Sequence, residues 1–225
     1  TALATKTSDG NNSNAYSSSM TNLIYNTTYY VRAYARNQIG TAYGQELVFS
    51  TRTFQVDDAY QGGKIAYILQ ATDPGYVAGE THGLIRSLNV QSRAWGCGGS
   101  FMGTTSSDFG TGESNTIEIV NNCSGDTAAK FCYDLVESGY DDWFLPALNE
   151  LNKFPSSLFY HQTCLTSSEV STSNAYIYGQ SFLGNPYPSN YESYWWYHNY
   201  DQWTDYSPSE IPKSSVKPFY PVRRF

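Results

Sequence analysis

The residues with the clearest chemical meaning form a Tyr- and Trp-rich stretch from Ser171 to Pro208. Eight Tyr and three Trp stand there among Ser, Asn, Asp and Gly, and no Lys or Arg occurs between Lys153 and Lys213. Their spacing follows neither the period of a strand nor that of a helix, so they do not form an ordinary core stripe. Tyr and Trp give large contact areas at low entropic cost, as in antibody loops. The stretch predicts a recognition surface, with some rings buried as anchors and others displayed.

The predicted ligand-binding residues are polar and aromatic side chains of this aromatic stretch. They are Asn174, Tyr176, Tyr178, Tyr191, Tyr194, Trp195, Trp196, Tyr197, His198, Tyr200, Trp203 and Tyr206. We expect at least half of the rings from Tyr191 to Trp203 to be partly exposed on one face, because clustered exposed rings usually mark contact sites.

Residues suited to catalysis or metal binding are scattered. His82, His161 and His198 lack the spacing of metal ligands. Asp141 and Asp142 precede a predicted strand, but no Asp-x-Asp-x-Asp loop supports calcium binding, so a turn or cap role is favoured. The chain has no G-x-S-x-G nucleophile motif and no C-x-x-C pair. We therefore predict no catalytic residue, no metal and no cofactor.

The composition limits the partners. The 225-residue chain has a net charge of −7, which argues against nucleic acid and anionic polysaccharides, since both need clustered Lys and Arg. No run reaches the roughly 18 apolar residues of a membrane span. Many short hydrophobic runs bounded by Gly, Ser, Thr and Asn predict β-rich architecture with long loops.

The sequence pattern of residues 1–52 predicts β-strands. The alternation over Thr28–Asn37 predicts one strand, Gln38–Gly40 a turn, and Glu46–Arg52 a further strand. The segment LIYNTTYYVRAYARNQIGTAYGQELVFST, Leu23 to Thr51, resembles the second half of a fibronectin type III domain. The resemblance implies a partial all-β sandwich, whose open edges must meet the next domain or another chain, or stay loose.

Residues 53–225 predict a mixture of short strands and helices. A helix over Glu113–Cys123 would be capped by Ser114 or Asn115, and a second, capped by Asp126, would run through Val136. A third would cover Leu148–Phe154, before Pro155. Strands are predicted at Tyr60–Gln70, Gly83–Val90, Arg93–Cys97 and Asp141–Pro146.

Six segments of this second region resemble segments of one family of bacterial and phage surface domains and occur in the same order. They are GGKIAYILQATDPGYVAGETHGLI (Gly62 to Ile85), RAWGC (Arg93 to Cys97), GTGESNT (Gly110 to Thr116), AAKFCYDLVESGYDDWFLPALNEL (Ala128 to Leu151), LTSSE (Leu165 to Glu169) and VKPFYPVRRF (Val216 to Phe225). On these pieces, nearly all of residues 56–225 resembles the Lcl C-terminal domain family. Two departures stand out: Ala147 replaces the usual Ser, which removes a helix cap, and Leu183–Ser215 is longer than typical.

The resemblance implies an α+β fold related to C-type lectins and the formylglycine-generating enzyme, with small antiparallel sheets, two or three short helices and long loops. Several proteins of this fold class are variable proteins of diversity-generating retroelements, in which Asn codons become Tyr, Ser, Asp or His codons. Residues 174–206 are rich in that set, which agrees with a diversified loop and equally with a fixed one. Since no Cys follows Cys164, the oxidase activity of the formylglycine enzyme should not carry over.

The four cysteines fit an exported protein, because the count is even and charge is low. That context and the family placement predict a disulfide between Cys97 and Cys123; the alternative is two buried thiols. Cys132 falls on the apolar face of a predicted helix and should be buried. The sequence leaves open whether Cys132 pairs with Cys164.

The sequence thus predicts a non-enzymatic, surface-displayed ligand-binding or adhesion module over residues 53–225, preceded by a fibronectin-type segment over residues 1–52. The ligand would be a protein or glycan on another cell surface. The location would be a bacterial surface, the extracellular space or a phage virion. Two alternatives are a structural pilus or phage tail-fibre subunit and an enzyme, a hydrolase or oxidase, on this fold.

Overall fold

Short antiparallel strands make up most of the regular structure, and the helices are few and short. The computed structural model describes residues 6–10, 15, 17–159, 162–180 and 206–225, with the backbone alone for Gln180, Tyr206 and Ser207. In that part of the chain, the predicted small antiparallel sheets and two or three short helices are confirmed.

The chain divides into two units, one ending at Phe54 and the other beginning at Gln55. In the first unit, β1 (Thr28–Arg36) and β2 (Thr41–Ser50) form an antiparallel hairpin. The Asn37 side chain closes its turn by accepting hydrogen bonds from the backbone N–H groups of Ile39 (2.9 Å) and Gly40 (3.1 Å). β2 starts before the predicted Glu46 because its first residues also pair with β1.

The β1–β2 hairpin keeps large apolar side chains in contact with water. Tyr29 stacks on Phe49 across the two strands, yet Tyr30 and Leu47 are each 65% exposed. A two-stranded sheet of this kind has little stability of its own, since it buries little apolar surface.

In the described residues of the second unit, nine strands form three antiparallel sheets. The sheet orders are β11-β5-β4-β3, β7-β8-β9 and β10-β6. The strands are β3 (Ala59–Tyr60), β4 (Gly63–Ile68), β5 (Gly83–Arg86), β6 (Gln91–Ala94), β7 (Thr163–Glu169), β8 (Asn174–Gln180), β9 (Tyr206–Pro212), β10 (Val216–Phe219) and β11 (Val222–Arg224).

The segment Asp141–Pro146, predicted as a strand, instead makes one isolated bridge. Phe144 and Val222 exchange two backbone hydrogen bonds, with N–O distances of 2.7 and 2.9 Å. Trp143, Phe144 and Leu145 are buried. The segment enters no sheet because only Phe144 reaches a partner strand.

The helices lie close to their predicted positions, but two of the predicted caps are wrong. The bounds are α1 (Gly112–Asn122), α2 (Ala128–Asp134) and α3 (Leu148–Leu151), followed by a 3₁₀ helix (Ser156–Phe159).

Thr111, not Ser114 or Asn115, precedes α1. Asn115 lies inside the helix and turns inward, where its side chain accepts from Ser106 N (2.9 Å) and donates to Ser106 O (2.7 Å). Its amide is thus used to hold the preceding loop, and the helix begins at Gly112, one residue before the predicted Glu113.

The N-cap of α2 is Thr127, not Asp126. The Thr127 hydroxyl accepts a hydrogen bond from Lys130 N at 3.0 Å, as a helix N-cap does. Asp126 instead pairs with Arg93 at 2.8 Å. The helix ends at Asp134, two residues before the predicted Val136.

Two clusters of buried side chains form the core of the second unit. The first includes Trp95, Ile119, Cys132, Leu145, Leu165, Ala175, Ile177, Ile211 and Phe219. The second includes Ala66, Leu84, Phe144, Leu151, Phe159, Cys164, Tyr178, Tyr220 and Val222. None of the helices in the described part of the chain combines the length and apolarity that a membrane crossing requires.

Candidate ligand-binding surface

Residues 181–205, which we call the insert, connect two neighbouring strands of one sheet. β8 and β9 pair from Asn174↔Pro212 to Gln180↔Tyr206 without a break in register. The chain therefore leaves β8 and enters β9 at the same end of the sheet. The central strand β8 is paired on both sides, with β7 and with β9.

Most of the predicted ligand-binding residues belong to the insert and lie outside the described residues. These are Tyr191, Tyr194, Trp195, Trp196, Tyr197, His198, Tyr200 and Trp203. The expectation that their rings share an exposed face stays a prediction. The backbone of Tyr206 begins β9 and pairs with Gln180.

Asn174 and Tyr176 lie towards the other end of β8. Asn174 is partly exposed, and its amide donates to the Glu210 carboxylate at 3.2 Å. At roughly 3.3 Å per residue, Asn174 is about 20 Å from the exit at Gln180. Tyr176 is half-buried against the second core cluster. The structure therefore does not bring Asn174 to the base of the insert.

Tyr178 is a core residue, which corrects its assignment to the ligand-binding surface. Its side chain is 6% exposed and packs edge-to-face against Phe159, with ring centroids 5.1 Å apart. The hydroxyl donates to Asn152 Oδ1 at 2.8 Å. The aromatic spacing gave no sign of this, because Asn152 and Phe159 come from a separate part of the sequence.

Both faces of β8 are covered. Ala175 and Ile177 point into the first core cluster, while Tyr178, on the other face, belongs to the second. Ile211 of β9 joins the first cluster as well. The strands at the base of the insert are thus held by packing on either side of the sheet, in addition to the ladder hydrogen bonds.

The predicted disulfide between Cys97 and Cys123 is present, with a Cα–Cα distance of 5.1 Å. It ties the start of a Gly- and Ser-rich loop, residues 97–107, to the end of α1. The alternative of two buried thiols at these positions is therefore wrong, and the bond agrees with an exported protein.

Cys132 and Cys164 are both free and buried, which answers the question that the sequence left open. They belong to different core clusters. Burial raises the pKa of the Cys132 thiol well above its usual value and that of Cys164 to about 12. Both thiols are consequently protonated and shielded at neutral pH.

Sequence reasoning missed a buried ion pair between Lys213 and Glu169. Their side chains are 0% and 1% exposed. Lys213 Nζ also donates to Ser100 O (2.7 Å) and stands 4.7 Å from the centre of the Trp95 ring. One signal was available: Lys213 is the first basic residue after the long stretch without any.

The Glu169 carboxylate completes this contact from the other side. It accepts hydrogen bonds from the backbone N–H of Met102 (3.0 Å) and of Gly103 (2.9 Å). Glu169 ends β7 and Lys213 follows β9, so the pair fastens residues 97–107 to the end of the sheet opposite the insert. Gly99 N donates to Thr172 O (3.1 Å) in the same contact.

Glu150 is a second buried carboxylate, and it is held by backbone donors. It accepts from Ala147 N (2.8 Å) and Gly110 N (3.2 Å), and the first of these bonds is the half of a capping box that the Glu supplies at the start of α3. A Cβ on Gly112 would come within 2.2 Å of the carboxylate, so only glycine fits there. Burial raises the pKa of Glu150, while these bonds and the charge of Arg224 oppose the rise.

Two of the other residues considered for metal binding, Asp142 and His82, have protein partners, whereas His161 and His198 lie outside the described residues. Asp142 receives two hydrogen bonds from Arg223, at 2.6 and 3.0 Å. The two ring nitrogens of His82 face Glu80 (2.8 Å) and the carbonyl oxygen of Phe225 (3.2 Å). Across the described residues, no group of three or more His, Cys, Asp and Glu side chains is arranged to hold a metal ion.

No protein-family model matches the chain, and no curated protein matches it either.

Proposed function

We propose that the chain is a non-enzymatic, surface-displayed ligand-binding or adhesion module. In this proposal, residues 55–225 form a C-type-lectin-like domain, and the Tyr- and Trp-rich insert is its binding surface. The ligand is a protein or glycan on another cell surface. The fibronectin-type segment precedes the domain in an exported protein of a bacterial surface or a phage virion.

One observation carries the proposal: the insert begins and ends on adjacent, in-register residues of two strands, Gln180 and Tyr206. Below that exit, β8 is packed on both faces. A sheet that is packed on both faces, with a long aromatic connection between two of its strands, suits the presentation of a binding surface on a stable scaffold.

The charge and the cysteines support the same proposal. The insert contains Glu192, Asp201 and Asp205 and no Lys or Arg, which disfavours polyanionic ligands. The Cys97–Cys123 bond suits an exported protein.

Two of the buried carboxylates serve structural contacts and are not placed for catalysis. Glu150 and Glu169 both have their oxygens occupied by backbone N–H donors. A general acid or base must reach a substrate proton, and neither group is placed to do so.

The test uses purified protein on a glycan array and on a panel of bacterial and host cells. We expect binding that is lost in Tyr194→Ala, Trp196→Ala and Trp203→Ala, because aromatic anchors each contribute ~2 kcal/mol or more to a contact. The matched control is Tyr133→Ala, an exposed tyrosine of α2 outside the insert, which should bind as before. Binding that survives all three insert substitutions would contradict the proposal.

Diversification of the insert by a retroelement is the second part of the proposal. It is supported by the richness of residues 174–206 in Asn, Tyr, Ser, Asp and His. Sequencing this region from independent isolates of one strain should find substitutions concentrated at those residues, with β7 unchanged. Isolates that are identical throughout, with no reverse transcriptase gene nearby, would indicate a fixed binding loop.

A further inference from the structure

We infer that Tyr178 and Gly179 are positioning residues that fix where the insert leaves the sheet. In this inference, contacts of β8 with the core, and not contacts of the insert, determine the position at which the chain leaves the strand. The inference rests on the proposed function, because it assigns the support of the proposed binding surface.

The first part of the device is the Tyr178 side chain. Its hydroxyl bonds Asn152, which directly follows α3, and its ring packs on Phe159 of the 3₁₀ helix. These contacts attach β8 to two other elements two residues before the described part of the strand ends. A Phe at position 178 would keep the ring packing and lose only the hydrogen bond.

The second part is Gly179, whose backbone has φ +145°. A Cβ there would lie 2.4 Å from Gln162 O and 3.0 Å from Thr163 Cα. Both are backbone atoms, so they cannot turn aside as a flexible side chain could. Any side chain at this position would push β8 away from β7 at the last rung before the insert.

The backbone wall that Gly179 approaches is itself held in place. Gln162 donates from its side chain to Leu158 O and to the hydroxyl of Tyr220, both at 2.8 Å. Gln162 N also donates to Phe159 O at 3.1 Å. Because Tyr220 is buried, its hydrogen bond with Gln162 attaches this wall to the core.

In consequence, the ends of β8 and β9 hold the base of the insert, and the insert itself is left to bind the ligand. The pairs Tyr178↔Pro208, Gly179↔Ser207 and Gln180↔Tyr206 close the base of the insert. If Tyr178 and Gly179 hold these pairs closed, the insert can change in sequence without loosening the sheet. That property is required of a binding loop whose specificity varies on a constant scaffold.

The test is amide hydrogen exchange of the full chain, which needs no ligand. Gly179→Ala should speed exchange about tenfold in peptides that cover the ends of β8 and β9, and should leave β4 and β5 unchanged. Gly98→Ala is the matched control, since a Cβ at Gly98 meets nothing within 4 Å. Equal acceleration in all sheets, or none at the exit, would overturn the inference.

Two further variants keep the test decisive if Gly179→Ala does not fold. Tyr178→Phe should speed exchange at the same peptides about threefold, whereas Tyr133→Phe, at an exposed tyrosine, should not. Replacing residues 181–205 by a short Gly/Ser linker should preserve slow exchange at the exit. Loss of protection in the linker variant would show that the insert holds its own base. These results do not depend on whether the binding screens succeed.

Discussion

Lys213 and Glu169 form an ion pair that is removed from water and that joins one end of the β7–β8–β9 sheet to a loop. The pair is 44 residues apart in sequence and almost fully buried. Each partner also bonds the backbone of the Gly- and Ser-rich loop, Lys213 at Ser100 O and Glu169 at two N–H groups. Burial of either charge without its partner would cost free energy of folding, so each side chain needs the other in order to be buried.

Lys213→Met should therefore destabilise the protein strongly. It leaves the Glu169 charge buried and unpaired, which typically costs ~3–5 kcal/mol. Chemical denaturation measures the change in the free energy of unfolding. The control is Lys130→Met in the exposed Lys130–Asp134 pair of α2, where the change should stay within about 0.5 kcal/mol.

A double variant separates charge burial from packing in this pair. Adding Glu169→Gln to Lys213→Met should recover part of the lost stability, because the neutral amide oxygen can still accept from Met102 and Gly103. If Lys213→Met costs no more than Lys130→Met, or if the second change worsens it, the pair does not have the role assigned to it.

The cysteines predict a defined thiol count. Unreduced protein should show no reactive thiol when folded and two when unfolded, since Cys132 and Cys164 are buried with raised pKa values. Replacing Cys97 and Cys123 together by Ala should cost about 3–4 kcal/mol of loop-closure entropy. Four thiols in the unfolded, unreduced protein would refute the disulfide and weaken the exported assignment.

Substitutions in the core should lower the free energy of unfolding much more than substitutions in the insert. Trp143→Ala removes a buried ring whose indole N–H donates to Tyr140 O, and should cost ~3–5 kcal/mol. Trp196→Ala, in the insert, should change the free energy of unfolding by less than about 0.5 kcal/mol. An insert substitution that destabilises the protein as much as Trp143→Ala would mean that the aromatic residues are structural.

Asp73 predicts an acid-sensitive part of the stability. Burial raises its pKa, but hydrogen bonds from Tyr67 (2.6 Å) and Gln70 N (2.7 Å) and the nearby Lys153 outweigh this and lower the pKa below its ordinary value. A lowered carboxyl pKa stabilises the folded state above the unfolded pKa of about 3.9, and this contribution is lost as pH falls through the folded pKa.

Asp73→Asn should thus destabilise the protein by ~1–3 kcal/mol at pH 7, with a smaller difference from the unaltered protein near pH 3. Urea denaturation at the two pH values measures this. Asp134→Asn, at an exposed carboxylate, is the control and should have little effect at either pH. A deficit for Asp73→Asn that stays constant or grows towards acid pH would contradict the assignment.

Local sequence determined the elements that depend on neighbours in the chain. The alternation in Thr28–Asn37 located β1, and the apolar face of Ala128, Phe131, Cys132 and Leu135 located α2, although Leu135 follows the end of the helix. The N-cap residues were harder to predict from the sequence, because the side chains of Ser114, Asn115, Asp126 and Thr127 can all cap a helix. Contacts between residues farther apart in sequence decided among them, such as those of Asn115 with Ser106 and of Asp126 with Arg93.

By itself, the sequence also determined the chemical character of the aromatic stretch, the negative charge and, with the family context, the disulfide. Only the tertiary structure decided which aromatic residues are buried. Tyr178 belongs to the same Tyr-rich run as Tyr191, but Asn152 and Phe159 bind it in the core. The Lys213–Glu169 pair was decided in the same way. Contacts between residues far apart in sequence leave no local pattern, because burial depends on how whole elements pack and not on the spacing within any one of them.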